Sequence, residues 1–304
     1  MDNPGEFFDV IIIGGGPGGL AAAMWCADLG LKAILLEKEN ECGGQLNVIN
    51  GPITNYPGVE TSNGREMRDI FTYQVDKTPT IKQLHSKVIA IDGSSVTTAD
   101  GNKINGRAII IATGVRRRKL NVSGENDFAG RGVLTSGVAA REKVAGKQIV
   151  IVGGGDAALE NALILGEIAD KVTVIHRRNS FSARRDFVER AKKNPRIEFV
   201  TNATVTSING SETVESIEYK ISNTDDKIFI MADKVLIRIG VTPNSEPFRS
   251  TVEVDNNGYI ITDKSHLTNT PNIFAIGDIA NPNAPTISGA TGDAATSIKA
   301  VVRL

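Results

Sequence analysis

Two segments of the chain share one pattern of apolar and polar positions. In each, an apolar run predicts a buried strand, a glycine-rich turn follows, small and apolar residues predict a helix, and another apolar run predicts a second strand. The first segment spans 9–37 and ends in an acid, Glu37. The second spans 148–178 and ends in His176, Arg177 and Arg178. The repeat predicts two α/β units, each built on a parallel sheet.

The remaining elements are predicted from shorter patterns. Helices are expected over 20–29, where Gly30 ends the helix, and over 66–75, 157–168 and from about Thr286 onward. Strands are expected at short apolar or alternating runs, namely 9–13, 33–36, 88–91, 95–98, 108–111, 148–152, 172–175, 196–200, 214–219, 227–231, 235–239 and 273–276. Two stretches rich in turn-forming or charged residues, 116–132 and 240–249, predict linkers.

Composition narrows the class of protein. A chain of 304 residues is long enough for about two domains. A formal net charge of −1 gives no overall field that would favour nucleic acid or an anionic membrane. With two cysteines and no secretory signal pattern at its N-terminus, the chain is expected in the cytoplasm. The most apolar stretch, 10–36, is broken by glycines and holds Asp28 and Lys32, so no membrane span is expected.

The first glycine turn has the pattern of a dinucleotide site. Gly14, Gly16 and Gly19 fill the G-x-G-x-x-G positions, with Pro17 among them. Such a turn lets backbone amides approach a pyrophosphate at the positive end of a helix dipole. Glu37 follows at the tip of the next predicted strand, where its carboxylate can accept hydrogen bonds from ribose hydroxyls.

The second turn repeats this pattern with a different charge. Gly153, Gly155 and Ala158 fill the same positions, but Arg177 and Arg178 stand where the first segment has its acid. Guanidinium groups bind a 2′-phosphate, whereas a carboxylate would repel it. NADP(H) is therefore favoured over NAD(H) here, and two dinucleotide sites on one chain predict a flavin reduced by a nicotinamide.

The chain resembles the low-molecular-weight thioredoxin reductase family of FAD-containing pyridine nucleotide oxidoreductases, nearly from end to end. Besides the two turns, the matching pieces are Gly43-Gly44-Gln45-Leu46, Asn55-Tyr56-Pro57-Gly58, Ala112-Thr113-Gly114, Gly130-Arg131-Gly132-Val133, Ile239-Gly240 with Pro243-Asn244, and Gly277-Asp278. The resemblance implies an α/β fold of two Rossmann-like dinucleotide-binding domains in ββα layers. It also implies a homodimer, an FAD-binding domain over 1–117 and 245–304, and an NAD(P)H-binding domain over 118–244.

The same resemblance implies the site residues. For FAD they are Gly14, Gly16, Pro17, Gly19, Glu37, Gly44, Gln45, Asn55, Val88, Thr113, Gly114, Asp278, Thr286 and Ile287. For NADPH, with NADH as the alternative, they are Gly153, Gly155, Asp156, Ala158, His176, Arg177, Arg178 and Gly240. No metal site is expected.

One departure from the family changes the expected chemistry. Family members carry a Cys-x-x-Cys before the second glycine turn, which passes electrons from flavin to thioredoxin. By register, Ser136 and Ala139 occupy those two positions here. Neither side chain can cycle as a thiol, so thioredoxin reduction by the family's mechanism is not expected.

The two cysteines present are separate in sequence. Cys26 falls in the first predicted helix, and Cys42 precedes a glycine pair near the expected FAD site. Cys26 is predicted to be a buried core residue. Cys42 is the alternative redox thiol.

Smaller departures concern the surroundings of both cofactors. Ser182 stands where family members have a further arginine, with Arg184 and Arg185 close by, and Asn283-Ala284-Pro285 replaces the usual Arg-Gln-Ala before the last helix. The run from Arg116 to Lys119 is either a solvated linker start or a docking patch for an acidic carrier such as ferredoxin, flavodoxin or a thioredoxin-like protein.

Three functions remain open from the sequence. The first is an NADPH-linked FAD oxidoreductase that passes electrons directly to an external carrier or small acceptor, as in ferredoxin–NADP reductases or a diaphorase. The second is a disulfide or thioredoxin-type reductase that uses a partner's dithiol or Cys42. The third is a flavin-binding redox sensor without catalysis.

Overall fold

A computed structural model describes residues 6–222, 224 and 226–304 of the chain. The strands in that part are β1 (Phe7–Ile13), β2 (Ala33–Glu37), β3 (Ile81–His85), β4 (Val88–Asp92), β5 (Ser95–Thr98), β6 (Lys103–Ile111), β7 (Val115–Arg117), β8 (Val133–Leu134), β9 (Gln148–Gly153), β10 (Lys171–His176), β11 (Ile197–Thr201), β12 (Ala203–Gly210), β13 (Val214–Ile221), β14 (Lys227–Met231), β15 (Lys234–Arg238), β16 (Val241–Pro243) and β17 (Ile273–Ala275). The α-helices are α1 (Pro17–Asp28), α2 (Gly64–Asp76), α3 (Gly137–Ala140), α4 (Asp156–Gly166), α5 (Arg185–Lys193) and α6 (Ile287–Val301). Short 3-10 turns span Gly44–Val48, Arg141–Lys143, Glu246–Phe248 and Gly277–Ile279.

The chain divides into two compact units. Unit 1 comprises Met1–Arg116 and Thr242–Leu304, and unit 2 comprises Arg117–Val241. Unit 1 is thus built from both ends of the chain, with unit 2 inserted between them.

Unit 1 is organised around a mostly parallel sheet. Its strand order is β3-β2-β1-β6-β5-β4, and β17 also pairs with β6. β1 runs parallel to β2 and β6, while β4 and β5 form an antiparallel ribbon that joins the beginning of β6. Because parallel strands point the same way, the carboxyl ends of β1, β2, β6 and β17 lie along one edge of the sheet. That edge is where ligands bind in open α/β sheets.

Alternation along β1 explains the layers of unit 1. Val10 and Ile12 point into a core shared with α1, α2 and α6, and Ile11 and Ile13 point into a second core on the other face. A strand buried on both faces reads as a continuous apolar run, as this one does.

Unit 2 has a smaller core sheet with five parallel strands in the order β11-β10-β9-β15-β8. Ile149 and Ile151 of β9 pack in a core with α4, and Val150 and Val152 pack on the opposite face against the antiparallel sheet β12-β13-β14. The α/β fold with two parallel-sheet units, predicted from the sequence, is confirmed.

The chain passes between the units within the two predicted linkers, after Arg116 and after Val241, but much of each predicted stretch is packed onto one unit. Within 116–132, Phe128 is buried in the core of unit 2, and Ser123 bridges to Ser207. Within 240–249, Phe248 is buried in the core of unit 1. The turn-forming residues that suggested linkers instead shape loops packed onto each unit.

Several element boundaries also differ from expectation. α1 begins at Pro17 rather than at 20, since proline is well suited to the first position of a helix. β6 begins at Lys103 rather than at 108, α4 ends at Gly166, and β3, β12 and α5 were not predicted. Gly30 ends α1 in the left-handed region with φ +69°, as expected.

Candidate dinucleotide sites

The first glycine turn of unit 1 is fixed by contacts that leave no room for side chains. Gly14 has φ +107°, and a Cβ there would stand 2.5 Å from the carbonyl oxygen of Ala112 on the neighbouring strand. A Cβ on Gly19 would stand 1.8 Å from the carbonyl oxygen of Gly14. The first glycine therefore makes the turn and the third lets α1 pack closely against it.

The middle glycine has a different environment. A Cβ on Gly16 would meet nothing within 4 Å, so space lies open beside the start of α1. Gly16 is the N-cap of α1, and no side chain caps the helix or places an acid in its first turn. Backbone amides without a capping partner and the positive end of the helix dipole therefore face this space. Such an environment suits an anionic group such as a pyrophosphate.

Glu37 lies at the end of β2, beside the same turn. The residue is buried, and one carboxylate oxygen accepts a hydrogen bond from the backbone amide of Gly15 at 2.7 Å. The other accepts from the amide of Glu39 at 3.0 Å. These bonds fix the carboxylate, and each oxygen keeps further lone pairs for a ligand hydroxyl.

A cavity of about 660 Å³ runs through unit 1 along the carboxyl edge of its sheet. Most of the residues that the sequence assigned to FAD line it, and they come from distant parts of the chain. They are Gly14, Gly16, Pro17, Glu37, Gly44, Gln45, Val88, Thr113, Gly114, Asp278, Thr286 and Ile287. The volume is that of a pocket for one organic ligand.

Two of the assigned residues do not line the cavity. Gly19 is buried in the first turn of α1, where it packs against the carbonyl oxygen of Gly14. Asn55 lies in an exposed loop and lines a separate surface pocket formed by 54–60. Sequence reasoning also missed cavity residues from other segments, including Lys38, Ser86, Lys87, Pro247 and Phe248. None of these belongs to a recognisable motif.

Asp278 lines the cavity and has a second carboxylate, Asp293, nearby. Asp278 lies in the 3-10 turn after β17, and burial, together with the nearby charge of Asp293, raises its pKa. Asp293 on α6 accepts a hydrogen bond from the amide of Gly277 at 3.1 Å and faces Nε2 of His266 at 3.4 Å. Thr286 caps α6 through a bond from the amide of Gly289 at 2.9 Å. α6 therefore begins at the cavity and holds the turn that carries Asp278.

Both cysteines lie in unit 1 and are buried. Cys42 packs beneath the glycine turn, because a Cβ on Gly15 would stand 2.6 Å from its sulfur. Burial and the charge of Glu37 raise the pKa of Cys42 to about 11. Burial raises the pKa of Cys26 to about 12. Both thiols are thus protonated at neutral pH and are poor nucleophiles.

The second glycine turn, in unit 2, repeats the geometry of the first. Gly153 has φ +151°, and a Cβ there would stand 2.2 Å from the carbonyl oxygen of Arg238. Gly155 is the uncapped N-cap of α4. The ring of His176 fills the space beside Gly154, stacks on Phe181 at 5.3 Å between ring centres, and has a pKa lowered mainly by burial.

Arg177 and Arg178 are exposed after β10. In the part of the chain that the structure describes, neither guanidinium has an ion-pair partner. Both remain free to bind an anion near the second turn.

The neighbouring arginines are already occupied. Arg184 pairs with Asp156 at 3.4 Å and lies over the ring of Phe187, and Arg185 pairs with Glu189 at 2.7 Å. Ser182 donates to the carbonyl oxygen of Gly154 at 3.3 Å. The loop after β10 is therefore tied to the glycine turn by neutral contacts and by an Asp156–Arg184 pair.

Ser136 and Ala139 lie together in one helical turn. The Ser136 hydroxyl accepts a hydrogen bond from the amide of Ala139 at 3.3 Å and so caps α3. Unit 2 contains no cysteine, since the two in the sequence are Cys26 and Cys42. Gly240, another residue assigned to the NADPH site, has φ +95°. Its carbonyl oxygen accepts a hydrogen bond from the amide of Arg118 at 3.0 Å.

The basic run 116–119 is not one continuous patch of free charge. Arg116 pairs with Glu246 in unit 1 at 2.5 Å. In unit 2, Arg118 donates to the carbonyl oxygen of Val241 at 2.8 Å, and Lys119 donates to the side-chain oxygen of Asn126 at 2.8 Å. Arg117 donates to the carbonyl oxygen of Thr135, so all four side chains make specific local contacts.

Membrane and metal sites were also sought among the described residues. None of the helices in that part of the chain combines the length and the apolar character needed to cross a bilayer. Nor does any group of three or more potential metal ligands come together there.

Two Rossmann-like units with matching glycine turns, one followed by an acid and the other by an arginine pair, define a protein with two dinucleotide sites. The chain belongs to the pyridine nucleotide-disulphide oxidoreductase family, whose model matches residues 8–295. Thioredoxin reductases within this family use FAD and NADPH.

The similar proteins include enzymes named thioredoxin reductase. The one from Listeria innocua is 36% identical over 297 residues, covering 96% of this chain and 92% of the relative. The crystal structure of Lactococcus lactis thioredoxin reductase is 32% identical with a TM-score of 0.83, covering 98% of this chain and 100% of that one. That of T. acidophilum thioredoxin reductase is 27% identical with a TM-score of 0.80, covering 98% and 99%.

Proposed function

We propose that the protein is an NADPH-linked FAD oxidoreductase that passes electrons to an external acceptor without an internal dithiol. Unit 1 supplies the FAD site and unit 2 the NADPH site. The net reaction joins NADPH, a proton and an oxidised acceptor, and yields NADP⁺ and the acceptor reduced by two electrons. The observation that carries the proposal is a pair of dinucleotide turns, one followed by an acid and the other by two arginines. Ser136 and Ala139 stand at the relay positions, by which we mean the two positions that hold the family's cysteines.

The residues of unit 1 fit FAD. The open space beside Gly16 and the uncapped start of α1 suit the pyrophosphate. Glu37, already held by two backbone amides, suits the ribose hydroxyls, and the half-buried Asp278 suits a hydroxyl of the ribityl chain. When bound, FAD supplies the ability to accept a hydride and to release electrons singly or in pairs.

The residues of unit 2 fit NADPH. The uncapped start of α4 at Gly155 suits the pyrophosphate. The guanidiniums of Arg177 and Arg178, which have no ion-pair partner among the described residues, suit the 2′-phosphate. Arg184 and Arg185 are paired with carboxylates, which leaves the 2′-phosphate to the first two. NADH lacks that phosphate and is the weaker alternative.

The chemistry of the relay positions argues against a thiol pathway through unit 2. The hydroxyl of Ser136 caps α3 and the methyl group of Ala139 carries no reactive atom. Neither side chain can form or break a disulfide, so electrons leave directly for the acceptor. A quinone, dioxygen, ferricyanide or an acidic carrier such as a ferredoxin, a flavodoxin or a thioredoxin-like protein are the acceptor classes to screen.

Cys42 is the alternative route for disulfide chemistry, and its surroundings disfavour it. The sulfur is covered by Gly15 and faces the amide oxygen of Gln83 at 3.8 Å. A thiol with a pKa of about 11 carries little thiolate at neutral pH. We therefore propose a structural role for Cys42 beneath the glycine turn.

The assembly we propose is a cytoplasmic homodimer, as the family resemblance implies. Sedimentation at micromolar protein concentration tests it, and a monomer would contradict it.

The function is tested on the purified holoprotein. We expect a yellow protein whose flavin is released by denaturation, and whose visible absorbance bleaches when NADPH is added without oxygen. A protein that takes up no FAD would contradict the unit 1 assignment. A yellow protein that NADPH fails to bleach would contradict the unit 2 assignment and favour the redox-sensor function.

A further inference from the structure

Two arginine side chains in unit 2 converge on one backbone oxygen. Arg238, the last residue of β15, donates from Nη2 to the carbonyl oxygen of Thr135 at 3.0 Å and from Nη1 to that of Ile237 at 2.9 Å. Arg117 donates from Nη1 to the same carbonyl oxygen of Thr135. Two guanidinium cations are thus held side by side on a single neutral acceptor.

No negative charge balances this pair within the described part of the chain. The ion pairs found there involve neither Arg117 nor Arg238. Arg238 is half-buried, and burial together with the charge of Arg117 lowers its pKa to about 10. Arg117 is exposed, and partial loss of water around its guanidinium lowers the pKa of that side chain too. Two partly desolvated like charges are costly unless an anion binds between them.

The position of the pair links it to the nucleotide turn. In the β15–β9 register Arg238 lies opposite Gly153, the first glycine of the second turn. Thr135 directly follows β8 and precedes Ser136, the first of the two relay positions. The guanidiniums therefore stand at the carboxyl edge of the parallel sheet, the edge at which such sheets bind ligands.

We propose that Arg117 and Arg238 form an oxyanion site that binds a phosphate or carboxylate group beside the relay positions. Their remaining N–H groups present the planar fork that matches such an oxyanion. The group belongs either to the nicotinamide-side half of the bound dinucleotide or to the electron acceptor. The inference rests on the proposed function for the identity of those molecules. The cation pair is bound to the carbonyl oxygen of Thr135, the residue before Ser136, and so lies next to the positions that hold the family's dithiol by register. This chain therefore offers charge recognition in place of thiol chemistry.

Inorganic phosphate is the probe. Arg177 and Arg178 are also expected to bind phosphate, so they are replaced first. In holoprotein carrying Arg177→Gln and Arg178→Gln, calorimetric titration is expected to show phosphate binding, with the tightest site at the Arg117 and Arg238 pair. Adding Arg117→Gln and Arg238→Gln is expected to weaken that binding at least tenfold, through loss of two charge-assisted contacts. Arg118→Gln is the matched control, because it removes one charge from the same run while its side chain bonds only the carbonyl oxygen of Val241.

The source of the oxyanion is separated by repeating the titration with saturating NAD⁺. If NAD⁺ weakens phosphate binding, the site belongs to the dinucleotide. If phosphate binding is undiminished, the site belongs to the acceptor. The proposal would be overturned if the Arg117/Arg238 variant and the Arg118 variant bound phosphate with equal affinity. It would also be overturned if the protein bound no phosphate while Arg117 and Arg238 were still present. Retained flavin absorbance and an unchanged melting temperature show that each variant is folded.

Failure of this proposal is distinct from failure of the proposed function. Phosphate titration needs no electron transfer, so a chain that binds phosphate through the pair but is not bleached by NADPH refutes only the NADPH-linked activity. A chain that NADPH bleaches normally but that binds no phosphate through the pair refutes only the oxyanion site.

Discussion

The two glycine turns have nearly the same backbone and different side chains around it. In both, the first glycine approaches a backbone carbonyl oxygen, that of Ala112 in unit 1 and that of Arg238 in unit 2. At the middle position, a Cβ on Gly16 would meet nothing within 4 Å, and the nearest atom to one on Gly155 would be Oγ of Ser182 at 3.7 Å. Between the first and middle glycines, Gly15 in unit 1 packs on Cys42 and Glu37, and Gly154 in unit 2 packs on the ring of His176. The shared backbone suits a pyrophosphate, so the ligand's identity depends on the side chains after the second strand.

The turns also differ at the third position. Gly19 in unit 1 has no room for a Cβ, whereas unit 2 accommodates Ala158 in the equivalent place, 3.1 Å from where a Cβ on Gly153 would stand. The first helix is therefore closer to its turn than the second. We therefore expect one added methyl group at Gly19 to have the largest effect on stability.

Gly19→Ala tests that difference most severely. The new methyl group would fall 1.8 Å from the carbonyl oxygen of Gly14, so α1 must move away from the turn. We expect a loss of about 3 kcal/mol in the free energy of unfolding, and FAD affinity at least tenfold weaker. Chemical denaturation and flavin titration measure the two effects.

The matched change in unit 2 is Ala158→Gly, which removes a methyl group instead of adding one. It should cost only about 1 kcal/mol, the difference in helix propensity, and leave FAD binding unchanged. Similar losses in both variants would show that the two turns are packed alike.

Replacing Arg177 and Arg178 with alanine tests the charge difference between the units. Each guanidinium contributes about 1.5–3 kcal/mol to a charge-assisted bond, so NADPH affinity should fall about 100-fold or more while NADH affinity changes little. Anaerobic titrations of the flavin with each nucleotide give the two affinities. Arg185→Ala is the control, because Arg185 is exposed and already paired with Glu189. Equal losses for NADPH and NADH would show that the arginine pair does not recognise the 2′-phosphate.

Cys42 offers a smaller test, of the packing beneath the first turn. Its pKa is raised from 9.0 to about 11, so at pH 8 it holds about 100-fold less thiolate than an ordinary thiol and should react that much more slowly with iodoacetamide. The rate should climb as pH rises toward about 11, since the thiolate forms over that range. Alkylation at pH 8 as fast as that of a small free thiol would show that Cys42 is exposed and activated.

Sequence reasoning recovered the parts of the fold that depend on local pattern. The central strands of both units are continuous apolar runs because they are buried on both faces, and the glycine turns are marked by spacing. β3 was missed because its five residues, Ile81–His85, include only two apolar side chains. α5 was missed because only Phe187 and Ala191 of its nine residues are buried.

The candidate site was predictable where a motif reaches the cavity and unpredictable elsewhere. Glu37 was predicted from its place at the tip of a strand and Asp278 from the family resemblance, and both line the cavity. Lys87 and Phe248 reach the same cavity through long-range packing that leaves no local signal. The contact of Arg117 with Thr135 likewise joins segments 18 residues apart in sequence.

The central claim is that electrons leave the flavin without help from any thiol of this chain. The most direct measurement compares the wild-type holoprotein with a Cys26→Ala, Cys42→Ala variant in two assays, NADPH-dependent reduction of ferricyanide and NADPH-dependent reduction of thioredoxin. We expect ferricyanide reduction to stay within about twofold of wild type, since hydride transfer to flavin needs no protein thiol, and thioredoxin reduction to lie at background for both proteins. Robust thioredoxin turnover by the wild type that the variant loses would contradict the claim and make one of the two cysteines the active thiol.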